Sequence, residues 1–217
     1  MAKAIFIALI LAFIGAALAF SPAQQGKFTA TRYGVRSSPL VVMSTTEEPT
    51  EKGIELKSDM GMDYVPLENM LMAADWEGAD QFTRDALIKI AGPTAVKTGF
   101  VYFTQVKNIP TTDLHTIERL WKKHSDGKFG YSEQRKIWDK QGGDFDKFCE
   151  KIGWKIQDGD NLRLRKWFGK SEFIYDLNEA PKGHFPLTSA LRGVTLLKEL
   201  LTHPAWDDEE FAARKRR

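Results

Sequence analysis

From Pro66 onward the chain keeps to one pattern: apolar residues at helical spacing, cut off at intervals by Gly or Pro. Such a pattern restricts a chain to an assembly of amphipathic helices that each bury one face. Leu67, Met70, Leu71 and Ala74 share a face, and Pro66 suits a first helical turn, where its missing N–H leaves nothing unpaired. A second stripe, Ala79, Phe82, Ala86, Leu87 and Ile90, ends at Gly92-Pro93. The connection between the two, near Asp75 to Gly78, is short, which predicts an antiparallel helical hairpin. A third stripe, Leu114, Ile117, Leu120 and Trp121, takes Thr111 or Thr112 as its N-cap and is followed by Gly127.

Ser132 is the candidate N-cap of a short helix carrying Ile137 and Trp138. Asp144 is the candidate cap of another that turns Phe145, Phe148, Cys149 and Ile152 inward and stops at Gly153. Between residues 154 and 178 the period drops to two, in Trp154-x-Ile156, Leu162-x-Leu164 and Phe173-x-Tyr175-x-Leu177. With Asp158-Gly159 as a turn signal, short extended segments are predicted there, paired as a hairpin. Leu187, Leu191, Val194, Leu197 and Leu201 mark a last helix that stops before Pro204. Nothing repeats beyond the first hairpin, which disfavours a solenoid. The expected fold class is mainly α with a few short extended segments. Trp121, Trp138 and Trp206, on a stripe or beside helix ends, are assigned to the core.

No catalytic constellation appears. Cys149 is the single cysteine, so neither an intramolecular disulfide nor a cysteine-rich zinc site can form, and its place beside two phenylalanines predicts a buried, inert thiol. His115, His124, His184 and His203 lack metal-ligand spacing, and neither a Gly-x-Ser-x-Gly turn nor a Gly-x-x-x-x-Gly-Lys-Ser/Thr loop is present. Carboxylates such as Asp75 or Glu133 stand alone. Binding is therefore favoured over catalysis. The sequence instead concentrates aromatics beside glycines in loops: Gly127-Lys128-Phe129-Gly130-Tyr131, Lys166-Trp167-Phe168-Gly169 and Gly183-His184-Phe185-Pro186. Either these fold back as lids on the core, or they line a concave apolar site for a flat hydrophobic ligand. Lys128, Arg165, Lys166, Lys170, Lys182 and Arg192 stand nearby and would suit the carboxylate tails of an amphipathic ligand.

The N-terminal part has a different character. After Lys3 an uncharged apolar stretch, Ala4 to Phe20, ends in the small-x-small pattern Ala17-Leu18-Ala19, which predicts a signal peptide over 1–19. Residues 20–46 hold eight Ser or Thr, three basic residues and no acid, the composition of a transit peptide. Two addresses in series imply passage through two membranes or more. Residues 47–62, mixing Glu and Lys with Pro49 and Gly53, read as a flexible linker. The formal net charge of +2 comes from the leader: residues 47–217 hold 27 basic against 29 acidic residues. A nucleic-acid-binding reading therefore loses its footing, and Arg214-Lys215-Arg216-Arg217 reads as a charged tail within 207–217.

Several motifs in order carry a resemblance to a known family. They are Asp75-Trp76-Glu77-Gly78-Ala79-Asp80 with Thr83, Leu120-Trp121 leading to Ser125-Asp126-Gly127-Lys128-Phe129-Gly130-Tyr131-Ser132-Glu133-Gln134, then Gly153-Trp154, Ala180-Pro181-Lys182-Gly183-His184-Phe185-Pro186, Leu191-Arg192-Gly193 and His203-Pro204-Ala205-Trp206. Over about residues 63–206 the chain resembles the Genomes Uncoupled Four family. It departs mildly: Lys128 and Tyr131 stand where Arg and Phe are common, and Phe185 where Leu is common. Ala19-Phe20-Ser21-Pro22 resembles the junction of bipartite plastid leaders in algae with secondary plastids.

The resemblance implies a helical domain shaped like a cupped hand over 63–206, preceded by a single helical hairpin, whose apolar palm binds protoporphyrin and Mg-protoporphyrin. It implies a regulator or carrier rather than an enzyme, with no cofactor of its own, that stimulates magnesium chelatase through its porphyrin-binding subunit. A plastid location, peripheral membrane association and a monomer go with this reading. The expected palm is Phe129, Trp154, Trp167, Phe168, Phe173, Phe185 and Pro186, with Arg192 and lysines holding the propionates and His184 as a candidate axial ligand. The rival expectation is a helical adaptor that docks proteins and has no tetrapyrrole.

Overall fold

The structure is a computed structural model that describes residues 53–166, 171–188, 194–208 and 210–211. The leader segments, most of the 207–217 tail, Trp167, Phe168 and Arg192 lie outside the described residues.

The expected hairpin is present. Helix α1 (Val65–Met72) has proline in its first turn, and α2 (Trp76–Ile90) is capped by Asp75, whose carboxylate accepts the Gly78 N–H at 3.0 Å. Because Asp75 is the cap, the connection is tighter than predicted. Ala74, expected on the first stripe, bends the chain instead with a positive φ of 56°. Gly92-Pro93 ends α2 but also starts α3 (Pro93–Thr98), with Pro93 in the first turn. A 3-10 helix, Phe103–Asn108, follows. At six residues each, both elements are too short to show a periodic stripe in sequence.

Helix α4 (Thr111–His124) runs through the centre and buries Leu114, Ile117, Leu120 and Trp121 as expected. Neither Thr111 nor Thr112 caps it: the preceding position is Pro110, with no side-chain cap. Its buried carboxylates serve other segments. Asp113 accepts from Ser58 Oγ at 2.5 Å, the Asp59 N–H at 3.0 Å and Tyr64 Oη at 2.8 Å, while Thr116 Oγ1 donates to the Lys57 carbonyl at 2.7 Å. The stretch 47–62, whose charge and Gly/Pro content predict a flexible linker, is thus anchored on α4 over its described part, with Ile54, Leu56 and Met62 packed against the core.

Glu118 caps α5 (Tyr131–Lys140), accepting the Tyr131 N–H at 2.7 Å and the Ser132 N–H at 3.1 Å. Ser132, the expected cap, lies inside the helix. The cap position belongs to Gly130, whose φ of 128° suits glycine and where a Cβ would come within 2.6 Å of Glu118 Oε1. Asp144 caps α6 (Phe145–Lys151) as predicted, accepting the Lys147 N–H at 3.1 Å. Strands β1 (Lys155–Asp158) and β2 (Asn161–Leu164) form the expected antiparallel hairpin, Lys155 opposite Leu164. Phe173–Leu177, also predicted to be extended and paired, joins no ladder. Helix α7 (Val194–Leu201) starts later than Leu187, and a 3-10 turn, Pro204–Asp207, follows it.

The core is unusually aromatic. Trp76, Trp121, Phe129 and Phe185 interlock, with Trp76–Phe129 centroids at 5.5 Å, Phe129–Phe185 at 5.3 Å edge-on and Trp121–Phe185 at 6.0 Å stacked. Each such ring removes on the order of 150 to 250 Å² from water, worth roughly 4 to 6 kcal/mol of transfer free energy before ordering costs. Trp138 and Trp206 are buried as expected. Trp121 is buried without a polar penalty because its Nε1–H donates to Thr83 Oγ1 at 3.0 Å. Among the described residues no helix is long and apolar enough to cross a membrane.

Candidate ligand-binding cleft

The loop from Gly183 to Thr188 is held from several sides. Gln134 Nε2 donates to the carbonyls of Gly183 (3.0 Å) and Pro186 (2.7 Å), and Trp154 Nε1 to that of His184 (2.9 Å). The Gly183 N–H bonds the Lys128 carbonyl at 2.9 Å, and the Phe185 carbonyl accepts the Gly130 N–H at 3.0 Å. His184 Nδ1–H donates to the Ile152 carbonyl at 2.7 Å, and its Nε2 accepts the Ile174 N–H at 3.2 Å, the bond that replaces a strand ladder in the 173–177 stretch. This pairing specifies the neutral Nδ1–H tautomer. Burial pushes the imidazole pKa down to about 4. The Phe185-Pro186 peptide is cis. At the far end of the loop, Asp80 Oδ1 accepts the Leu187 N–H at 2.7 Å.

Leu187 and Thr188, held in this way, form one side of an apolar cleft of about 470 Å³, well within the range of small-molecule sites. One wall is α2, with Gln81, Arg84, Asp85, Leu87 and Ile88. The second is the segment from Gly99 to Ile109, with Phe100, Val101 and Val106, and α7 adds Leu196 and Leu200. Polarity is confined largely to the α2 wall. Arg84 is ion-paired with the fully buried Asp80 and donates to Gln81 Oε1 at 2.6 Å. Burial is the main influence on Arg84 and lowers its pKa, yet a guanidinium stays cationic. A second groove, about 500 Å³ between residues 54–57, the C-terminal half of α4 and Glu210-Phe211, is lined by Arg119, Lys122 and Lys123 and is more polar. Arg119 spans part of it in a bidentate pair with Glu210 at 2.7 to 3.1 Å.

The expected palm residues do not line the cleft. Phe129, Trp154, His184, Phe185 and Pro186 are all buried, as lids on the core rather than a surface, and Phe173 is half-buried against His184 at 5.7 Å. Trp167, Phe168 and Arg192 lie outside the described residues. Both ring nitrogens of His184 are engaged, which leaves no lone pair for an axial bond. The reason is local: a Gly-His-Phe-Pro turn places its polar groups against α5, α6 and the 173–177 stretch, so its aromatics face the core. The cleft-lining Phe100 follows a glycine and carries the same aromatic-beside-glycine signal that marks residues 127–131. Ile88 and Leu196 carried no such signal, because an apolar residue at a helix edge looks like core. Cys149 is buried and its thiol is pushed up to about 12, which makes it unreactive. Among the described residues no three His, Cys, Asp or Glu side chains converge as metal ligands would.

Fold and cleft together define a mainly helical domain built around an apolar concavity of small-molecule size. The family model described as GUN4-like matches residues 57–204, and the chain belongs to that family. It is 49% identical over 142 residues to the chloroplastic tetrapyrrole-binding protein of Arabidopsis thaliana, covering 64% of this chain and 54% of that one. It is 46% identical over 151 residues to the Ycf53-like protein of Synechocystis, covering 70% and 62%. The chain thus spans little more than half the length of these curated relatives. Among solved structures, that of GUN4 from Chlamydomonas reinhardtii matches at a TM-score of 0.63 and 44% identity, covering 70% of this chain and 95% of that one. The ligand-free structure of Arabidopsis thaliana GUN4 matches at 0.61 and 46%, covering 72% and 99%.

Proposed function

We propose that this chain binds a tetrapyrrole in the cleft between α2, the 99–109 segment and α7, and acts as a regulator or carrier rather than a catalyst. The observation that carries this is the cleft itself, about 470 Å³ and apolar on most sides, in a chain whose Arabidopsis relative is a tetrapyrrole-binding protein. A flat macrocycle covering about 200 Å² of apolar wall would gain roughly 5 kcal/mol of transfer free energy before ordering costs, enough for micromolar binding once polar contacts are added. Phe129, Trp154 and Phe185 then act from behind, as the packed support of the Leu187–Thr188 edge. Trp167, Phe168 and Arg192 remain assigned to the ligand on the family resemblance alone.

Protoporphyrin and Mg-protoporphyrin are the proposed ligands, and stimulation of magnesium chelatase through its porphyrin-binding subunit is the proposed outcome. A plastid address agrees with the two-part leader and with a chloroplastic relative. Titrating the full chain with deuteroporphyrin and its magnesium form, following the Soret band and tryptophan quenching, tests the reading. Saturable binding lost in Leu196→Asp supports it. Because His184 is saturated, the two forms should bind within a few-fold of each other. A folded protein that binds neither form would leave an adaptor, for which the exposed Tyr102 and Phe103, 48% and 47% accessible, are the natural contact.

A further inference from the structure

The segment from Val96 to Ile109 has two sides. On one, Phe100, Val101, Val106 and Ile109 line the cleft. On the other, Val96, Tyr102 and Phe103 are 55%, 48% and 47% accessible. The Phe100 and Tyr102 rings, 4.6 Å apart, join the outer patch to the cleft lining. The backbone beneath the patch is held internally: the Gly99 N–H bonds the Ala95 carbonyl at 2.8 Å, the Gln105 N–H bonds the Tyr102 carbonyl at 2.9 Å, and the Tyr102 N–H bonds Gln105 Oε1 at 2.7 Å. The segment therefore presents closed turns with their polar groups used. Its charge is of one sign. From Ala86 to Thr112 the chain holds Lys89, Lys97 and Lys107, all exposed, and no Asp, Glu or Arg. Asp85, a turn before Lys89, already accepts from Gln81 Nε2 at 3.0 Å, and α7, packed on the 3-10 helix, adds one exposed charge of each sign in Lys198 and Glu199.

Half-exposed aromatics flanked by lysines suit a bilayer interface, where rings settle at the headgroup level and ammonium groups meet anionic lipid. A protein partner fits less well. At about 150 to 250 Å² per whole side chain, the exposed parts of the three apolar residues come to roughly 300 Å², against about 800 Å² per partner in a stable interface, and lysine is depleted from interface cores. We propose that the outer side of the 96–107 segment docks on an anionic lipid bilayer. Val96, Tyr102 and Phe103 enter the headgroup layer, and Lys89, Lys97 and Lys107 hold anionic headgroups, each strengthening binding about fivefold. Resting on the cleft as the ligand site, this docking sets the cleft mouth against the lipid, so that a sparingly soluble macrocycle passes between bilayer and cleft without crossing water.

Because Cys149 is buried, a cysteine placed on the surface can be labelled alone. The test uses the full chain carrying Phe103→Cys or, as a control at a comparably exposed apolar position on the β1–β2 hairpin, Leu162→Cys, which replaces a side chain 44% accessible. Each is labelled with an environment-sensitive fluorophore and titrated with phosphatidylcholine vesicles, with or without phosphatidylglycerol. The label at position 103 should shift to the blue at about tenfold less lipid, or lower still, with the anionic vesicles than with phosphatidylcholine alone, and the label at position 162 should not shift. Adding Lys97→Glu and Lys107→Glu should raise the lipid needed by about tenfold or more and leave deuteroporphyrin binding unchanged. No shift at position 103, equal shifts at both positions, or a shift at position 103 that grows with protein concentration in the absence of lipid, the mark of a protein contact, would each overturn the lipid surface and leave the cleft as the binding site. A shift confined to position 103 in a protein that binds no deuteroporphyrin would support the lipid surface and overturn the cleft.

Discussion

Asp80 joins α2 to the cleft, and its removal should be costly. In Asp80→Ala the Leu187 N–H, 2.7 Å from the carboxylate and on a fully buried residue, loses its acceptor with no water to replace it. A charge-assisted bond of this kind is worth about 1.5 to 3 kcal/mol. Arg84 also loses its ion pair with Asp80, but its side chain is 22% exposed and keeps its bond to Gln81, so about 1 to 2 kcal/mol is a fair estimate for that loss. The expected destabilisation is therefore about 3 to 5 kcal/mol, or roughly 10 °C in melting temperature for a domain of this size. Asp80→Asn keeps an acceptor for Leu187 and loses only the ion pair, so it should cost about 1 to 2 kcal/mol. Urea unfolding followed by tryptophan fluorescence reads both, since Trp76 and Trp121 lie 6.1 Å apart in the adjoining core. A cost below about 1 kcal/mol for the alanine variant would refute the reasoning, as would equal costs for Ala and Asn, which would place the whole effect in the charge.

His184, held neutral with its pKa pushed down to about 4 from 6.5, contributes stability that is full above pH 6.5 and is lost as pH falls toward 4. The loss is about 3 kcal/mol, and His184→Asn should flatten that part of the urea-midpoint profile; an unchanged slope would count against it. Glu118 acts with the opposite sign: burial pushes its carboxyl up to about 6 from 4.5, so the folded state gains stability as pH falls across that window. Glu118→Gln should remove that gain of about 2 kcal/mol, read from the same profile. Gly153 has a φ of 72°, and a Cβ there would lie 2.7 Å from Pro181 Cγ. Gly153→Ala should lower stability by about 1 to 3 kcal/mol, and a neutral result by calorimetry would show that the Pro181 turn yields.

The helices with long stripes, α1, α2 and α4, were legible because burial of one face imposes a period. So was the Asp144 cap, whose donor lies three residues away. Ser132 misled because the cap of α5 comes from Glu118, a partner that no local spacing announces. Aromatics beside glycines in loops are ambiguous in sequence, because both roles, core lid and ligand surface, need the same residue types. Only the direction a ring faces separates them, and for Phe185 that is decided by the hydrogen bonds that hold the 183–188 loop. The cleft was the least legible feature. It is assembled from helix edges and a 3-10 segment far apart in sequence, and its apolar residues follow no rule that separates them from core.

A helix of ten residues that follows a glycine has little reason to form alone. The carboxylate that satisfies the first N–H groups of α5 arrives from another helix, so the local structure of 131–140 comes into being only once α4 is in place beside it. Helices α6 and α7 pack on α5 in turn, and α7 is a wall of the cleft. Secondary structure here is a product of tertiary assembly, and the binding face is among the last parts to be defined. Loss of the Glu118 contact would therefore be felt as a loss of cooperativity across the domain, with ligand affinity falling in step with global stability rather than with any change at the cleft itself.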